Sequence, residues 1–257
     1  MRAHRFRDSI EHSRRHAHSQ TGSPGCNGGA QTGSVKMTGV VDKRSSGMVR
    51  KRNPDLTKRE ILAAAHKEFC ERGFDGARVD RIAASAGANK RLLYHYFGNK
   101  EDLYRQVLSD AYRTIRAGER ELSLDQFPPE EAMDRLVRFT FRHFQQNPWF
   151  IRLLTTENMH HARILKTLPE IKDLHSPLVA QIRTLIERGA RAGVFRKDVD
   201  PVQLYISIAA LGYFYLSNIY TLSTIFDTDL SHITLIQERE AHAVAMVLDY
   251  LRTHTDT

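Results

Sequence analysis

The chain has 257 residues, 41% of them apolar, which is enough to build the core of one large domain or of two modest ones. Its two cysteines, Cys26 and Cys70, lie far apart in dissimilar contexts, which argues against a disulfide framework or a thiolate metal site and for a reducing, cytoplasmic setting. The net charge of +8 says nothing about the folded part, because residues 1–54 hold 11 Lys and Arg against 3 Asp and Glu, the whole surplus, while residues 55–257 hold 27 of each.

Residues 1–52 mix Arg, His, Ser and Gly with few large apolar side chains and are expected to form a disordered basic extension. No apolar run follows its arginines, so a secretory signal is not expected, and Met37 and Met48 are internal start candidates should the reading frame be over-extended. From Asp55 the pattern turns helical. Asp55 is placed to cap, Ile61, Leu62, Ala65 and Phe69 fall at helical spacing, and Gly73 ends the run. Two short helices follow, one striped by Val79, Ile82 and Ala83 and ended at Gly87, the next capped by Asn89 and carrying Leu92, Leu93, Tyr96 and Phe97 up to Gly98. Asn99 then caps a longer helix to about Gly118, lined by Leu103, Val107, Leu108, Ala111 and Ile115.

Proline and glycine punctuate the remainder into helices over 129–146, 148–159, a short one near 162–168, 176–192 with Pro177 at its first position, 200–220 and 229–253. No alternating strand pattern appears. The expected fold is all-α: an N-terminal three-helix helix-turn-helix domain over 53–105, and a C-terminal helical bundle over 106–257. The longest apolar stretch, Leu204 to Leu216, is interrupted by Ser207 and Gly212 and falls short of the roughly 20 residues that span a bilayer.

A two-turn helix, a tight glycine-centred turn and a second short helix rich in donors are what places a recognition helix in the major groove. Asn89, Lys90, Arg91, Tyr94 and His95 lie away from the apolar face of that second helix, free for phosphates and base edges. Lys100 opens the next helix, where its charge opposes the helix dipole, which makes sense if it meets a phosphate; Arg78, ahead of the first short helix, is a further phosphate candidate.

The series Lys58-Arg59-Glu60-Ile61-Leu62, Gly73-Phe74, Ile82-Ala83, Ala86-Gly87, Leu93-Tyr94-His95-Tyr96-Phe97, Lys100-Glu101 and Leu103 resembles the DNA-binding domain of TetR/AcrR regulators over its full length. That resemblance implies a homodimer on a double-stranded operator of two half-sites, released when a small-molecule effector binds the C-terminal domain. The sequence departs from the family at Ala77 and Arg78, where a capping Thr or Ser is usual, so that cap is expected to be weaker by about 1 kcal/mol unless another group substitutes.

Beyond Leu136 the strings Asn147-Pro148, Glu157-Asn158, Gly193-Val194-Phe195-Arg196 and Ile206 to Asn218 resemble a narrower branch, the pyrimidine-utilisation and nicotinate-catabolism repressors, and imply a planar, heteroaromatic effector. From the residues themselves, Trp149 and Phe214 are candidate aromatic walls of a pocket, with Glu157, Asn158, His161 and Asn218 as its polar groups. A helical bundle needs core aromatics whether or not it binds a ligand. Glu157 with His160 and His161 lacks the further ligands of a metal site, and no cofactor is expected. An enzyme using Glu157, His161 and Glu187 would lack a nucleophile motif or phosphate loop, and a nucleoid protein would not need so large a second domain.

Overall fold

The computed structural model describes residues 53–169 and 171–253, so the basic extension expected over 1–52 lies outside the described residues. α1 runs Pro54–Gly76, with proline at its first position and the Asn53 side chain, not Asp55, accepting the free Asp55 N–H at 3.0 Å. Its regular part stops at Gly73, whose φ of 67° is open to glycine and strained for other residues. α2 (Val79–Ser85) and α3 (Lys90–Phe97) form the helix-turn-helix. α4 (Lys100–Glu121) opens on a reciprocal cap between Asn99 and Asp102 and passes without a break through the boundary expected at residue 105.

After a 3₁₀ turn at Leu124–Gln126 come α5 (Pro129–Gln146) and α6 (Pro148–Met159), each with proline in its first turn. The short helix expected near 162–168 is only a 3₁₀ turn, Leu165–Thr167, reached through His161 and Ala162 at φ of 55° and 56°. α7 spans Ile171–Arg191, so Pro177 lies inside the helix and not at its start; half-buried Ile171 packs against the core and anchors the added turn. The helix expected over 200–220 is two, α8 (Pro201–Ser217) and α9 (Ile219–Ile225), bent by 68°. The break falls at Asn218, whose side-chain amide takes the Phe214 carbonyl at 2.9 Å and closes the end of α8. α10 (Ile233–Leu251) starts later than expected, capped by His232.

The described residues contain no β-strand, only an isolated bridge between Phe195 and Arg252. Two large apolar cores hold the helices, and a smaller one around Tyr215, Ile219 and Leu230 holds α9. One joins Ile61, Phe69, Ile82, Leu93, Leu103 and Tyr104 to Phe144, Phe150, Leu153 and Ile164, so the DNA-binding helices and α6 share an interior. The second large one gathers Met133, Leu136, Ile182, Leu185, Leu204, Ile208, Val244 and Leu251 from α5, α7, α8 and α10, with Phe195 from the connection between α7 and α8. Among the described residues no single helix is long and apolar enough to cross a membrane.

Candidate DNA-reading face and effector chamber

α3 buries Leu93 and Phe97 four residues apart, which turns Lys90, Arg91, Tyr94 and His95 outward together. Asn89 holds the helix start by accepting the Leu92 N–H at 2.7 Å. Lys90 Nζ lies 3.0 Å from Asp80 Oδ1, and that hydrogen bond raises its pKa, while Tyr94 is 41% exposed and His95 leans on the Tyr96 ring. Lys100 is placed differently: its ammonium donates to the Asp75 carbonyl at 3.3 Å and lies 4.8 Å over the Phe74 ring, and burial lowers its pKa. Arg78 is the N-cap residue of α2 and its side chain makes no cap. The substitute comes from α1, where Glu68 Oε1 accepts the Arg78 N–H at 3.0 Å and Arg81 Nε at 2.7 Å.

These helices meet the rest of the molecule along a dense seam. His66 of α1 packs edge-on against Trp149 of α6 at 4.2 Å, and a Cβ at Gly73 would come within 3.8 Å of Thr156. His160 Nε2 lies 3.3 Å from Asp75 Oδ2, the Arg163 guanidinium sits 5.5 Å over Phe74, and Arg105 donates to Thr167 Oγ1 at 2.8 Å.

The six residues expected to line an effector pocket do not converge. Trp149 belongs to the seam, its indole N–H donating to Asn147 Oδ1. Glu157 is buried but accepts the Leu165 N–H at 2.9 Å, tying α6 to the turn that follows it. Exposed Asn158 bonds back to the Leu154 carbonyl, and His161 is exposed in the turn beyond α6. Phe214 is 59% exposed on the outer face of α8, and the amide of Asn218 caps that helix.

A different set of polar side chains is brought together inside. Arg116 and Glu119 of α4 are 3% and 1% exposed, His143 of α5 is buried, and half-buried Tyr205 of α8 accepts from Arg116 Nη2 at 2.8 Å. Arg116 Nη1 and Glu119 Oε2 are 2.8 Å apart, an ion pair whose angle leaves no hydrogen bond: Arg116 Nε and Nη1, both Glu119 oxygens and His143 Nε2 have no hydrogen-bond partner among the described residues. Burial pushes the Glu119 carboxyl up to about 7 against the pull of Arg116 and Arg120. Burial, with the Arg116 charge adding to it, holds His143 down to about 4, so its ring is neutral near pH 7. His143 and Phe139 also face a cleft of about 310 Å³ whose charged lining is Arg135, Arg138 and Arg142. The Phe139 ring lies where a Cβ at Gly118 would be, 2.6 Å from it, so glycine lets α5 close on α4 at this point.

Residues 61–107 match the family described as bacterial regulatory proteins, tetR family, and residues 129–247 match the tetracyclin repressor-like C-terminal domain. The transcriptional repressor NicS of Pseudomonas putida is 38% identical over 183 residues, covering 71% of this chain and 86% of the relative. The chain belongs to the TetR family. A second relative of this TetR-family regulator, RutR of Escherichia coli K12, is 30% identical over 182 residues, 69% of this chain and 78% of its own. A solved transcriptional regulator from Streptomyces coelicolor superposes with a TM-score of 0.56 at 26% identity, covering 76% of this chain and 98% of that one. The regulator is thus a DNA-binding transcription factor whose helix-turn-helix is the α2–α3 pair.

The internal cluster of this TetR-family member went unread in the sequence, although a signal was there. Leu108, Tyr112, Ile115, Arg116 and Glu119 lie on one stripe of α4, so two charges interrupt an otherwise apolar face. His143 and Tyr205 carry no such mark, since an isolated histidine or tyrosine fits a surface or a core equally well.

Proposed function

We propose that the regulator binds an operator of two half-sites as a homodimer, represses transcription there, and lets go when a small planar heteroaromatic effector enters the region bounded by α4, α5 and α8. The observation that carries the DNA half is the outward face of α3, where Lys90, Arg91, Tyr94 and His95 stand on a base fixed by buried Leu93 and Phe97. Arg78 and Lys100 are assigned to phosphates at the flanks, Lys100 after leaving the Asp75 carbonyl. Fluorescence anisotropy with the DNA upstream of the gene tests this. A base contact by Arg91 or Tyr94 should cost about 1–3 kcal/mol at one base pair on substitution by alanine, and a phosphate contact should weaken all sequences alike. Unchanged affinity in Tyr94→Ala and Lys100→Ala together refutes the assignment.

The effector half rests on convergence: Arg116, Glu119, His143 and Tyr205 are the few polar groups directed into an apolar interior that a ligand site requires. An effector between α4 and α5 moves α4, and α4 begins in the DNA-binding unit. It thereby biases the spacing of the two recognition helices. The resemblance to NicS and RutR supports planar heterocycles, and the Phe139 and His143 rings line the cleft beside the cluster. The dimer is supported by the apolar surface of α8 and α10, where Val202, Ile206, Phe214, Met246 and Tyr250 are exposed beside a groove of about 500 Å³. Leu204, Ile208, Tyr215, Ala243 and Val247 on the same helices point inward to the protomer's own core. The regulator acts in the cytoplasm, where its operator lies. A thermal-shift screen with planar heterocycles, followed by operator release, tests the chamber; ligands whose effect survives Arg116→Met and His143→Ala place the site elsewhere.

A further inference from the structure

Resting on the effector chamber proposed above, the chemistry of the polar cluster narrows the ligand as well as its location. Arg116 is a buried guanidinium whose Nη2 donates to Tyr205 and whose Nη1 lies 2.8 Å from Glu119 Oε2 in an ion pair, while Nε has no partner among the described residues. Nε–H and the Nη2 hydrogen beside it form one edge of the planar guanidinium, and a carboxylate accepts from that edge in two parallel bonds, as Glu240 does from Arg142. The anion beside it is Glu119, and the Glu119 oxygens meet Arg116 at an angle that makes no hydrogen bond. The partner is near and badly placed, so a better-placed carboxylate displaces it.

Displacement leaves Glu119 buried at 1% exposure without its counter-charge, and a carboxyl so placed takes up a proton. We propose that the chamber takes a small organic carboxylate as its ligand, that Arg116 transfers from Glu119 to that carboxylate, and that each ligand enters together with one proton bound on Glu119. The exchange balances. Before it, the Arg116 cation faces the Glu119 anion; after it, the same cation faces the ligand anion and Glu119 is a neutral acid, the proton coming from solvent. The interior holds no net charge in either state.

The surroundings agree. The ionisable groups acting on Glu119 are Arg116 and Arg120 from its own helix and Tyr205 from α8. From α5, His143 is neutral and able to accept or donate one hydrogen bond to the ligand, while Arg138 and Arg142 are engaged by Asp134 and Glu240. α7 contributes Arg188, whose guanidinium is spent on the carbonyls of Leu124 and Phe127. Once Arg116 has left it, Arg120 is the one cation among these still acting on Glu119, against the burial that favours the neutral acid. The cleft outside is lined by Arg135, Arg138 and Arg142, each already paired to Glu131, Asp134 or Glu240. The cleft of about 310 Å³ shares His143 with the cluster.

Isothermal titration of the full chain with benzoate and pyridine-3-carboxylate, against their neutral amides and uracil, decides the matter when run near pH 6 and pH 8.5 in two buffers of different ionisation enthalpy. The carboxylates should bind at least about tenfold tighter than the amides. Near pH 8.5 they should take up about one proton per ligand, and their affinity should fall about tenfold per pH unit above the Glu119 pKa and level off below it. Glu119→Gln, which mimics the protonated acid and spares the packing, should bind carboxylates with no proton uptake and no pH dependence over that range. Arg116→Met should lose carboxylate binding and keep its helicity. If amides or uracil bind as well as the carboxylates and release the operator, the carboxylate inference falls and the chamber stands. Carboxylate binding without proton uptake near pH 8.5, or with an unaltered pH profile in Glu119→Gln, overturns the exchange. If none of these probes binds, or binding survives Arg116→Met, the chamber itself is misplaced and both readings fall.

Discussion

Replacing Glu68, which holds Arg78 through its backbone N–H only, is expected to loosen the helix-turn-helix while leaving the side chains on the outward face of α3 in place. The carboxylate is buried to 11% side-chain exposure and supplies the missing cap of α2 by accepting the Arg78 N–H at 3.0 Å, while pairing with Arg81 at 2.6 Å and more distantly with Arg72 at 3.6 Å. A hydrogen bond to a charged group contributes about 1.5–3 kcal/mol and a helix cap about 0.5–2 kcal/mol. Arg72 is half exposed and Arg81 more than a third, so their ion pairs add little. Glu68→Ala should therefore cost about 2–3 kcal/mol, and Glu68→Gln, which keeps an acceptor for the Arg78 N–H and loses the charge, about 1 kcal/mol. Burial alone would push the Glu68 carboxyl up, but hydrogen bonds from Arg81 and the Arg78 N–H, with the nearby guanidiniums, outweigh it and hold it below its ordinary 4.5. A depressed acid contributes stability above its unfolded pKa and loses it as pH falls below that value, so the gap between wild type and Glu68→Gln should be full at pH 6–7 and close in acid. Urea unfolding followed by circular dichroism at several pH values measures this. A change under about 0.5 kcal/mol in Glu68→Ala, or a gap to Glu68→Gln that does not move with pH, refutes the reasoning.

Three further outcomes are expected. Asp80→Asn releases Lys90 from its 3.0 Å ion pair and should strengthen DNA binding at low salt and steepen its salt dependence, read by anisotropy titrations. Phe214→Glu with Met246→Glu places charges on the exposed apolar face of α8 and α10 and should yield a folded monomer by sedimentation; a dimer as tight as wild type puts the interface elsewhere. Glu240→Gln should cost about 1–2 kcal/mol in urea unfolding, because Glu240 is 6% exposed and joins α10 to Arg138 and Arg142 of α5 at 2.8–3.0 Å.

The helix-turn-helix was legible because short-range chemistry dictates it: Asn89 and Asn99 cap where they stand, and Gly98 stops a helix whatever surrounds it. Sequence reasoning fails where distant groups decide. Nothing local says that a glutamate ten residues upstream replaces the cap that Arg78 lacks, or that Ile171 draws α7 past Pro177. The bend at Asn218 was hidden because apolar residues run on through it, and the helix ends where Asn218 and Ser217 gather their bonds on the Phe214 carbonyl. For the effector site, sequence pattern favours polar residues flanking apolar stretches, such as Asn158 and His161, which the helix ends and turns absorb; the polar groups that do gather are two charges on the apolar stripe of α4 and their partners from α5 and α8.

The seam between the DNA-binding helices and α6 bears on how such regulators can be engineered. A chimaera that takes residues up to about 105 from one relative and the rest from another would keep every helix and still separate His66 from Trp149, Phe74 from Arg163, Asp75 from His160 and Arg105 from Thr167. The DNA-binding unit is therefore not a portable module. An exchange has to carry the matching stretch 149–167 along with it, or the effector site of one parent would no longer govern the operator grip of the other. Retargeting the protein is better sought at Lys90, Arg91, Tyr94 and His95, which face away from that seam.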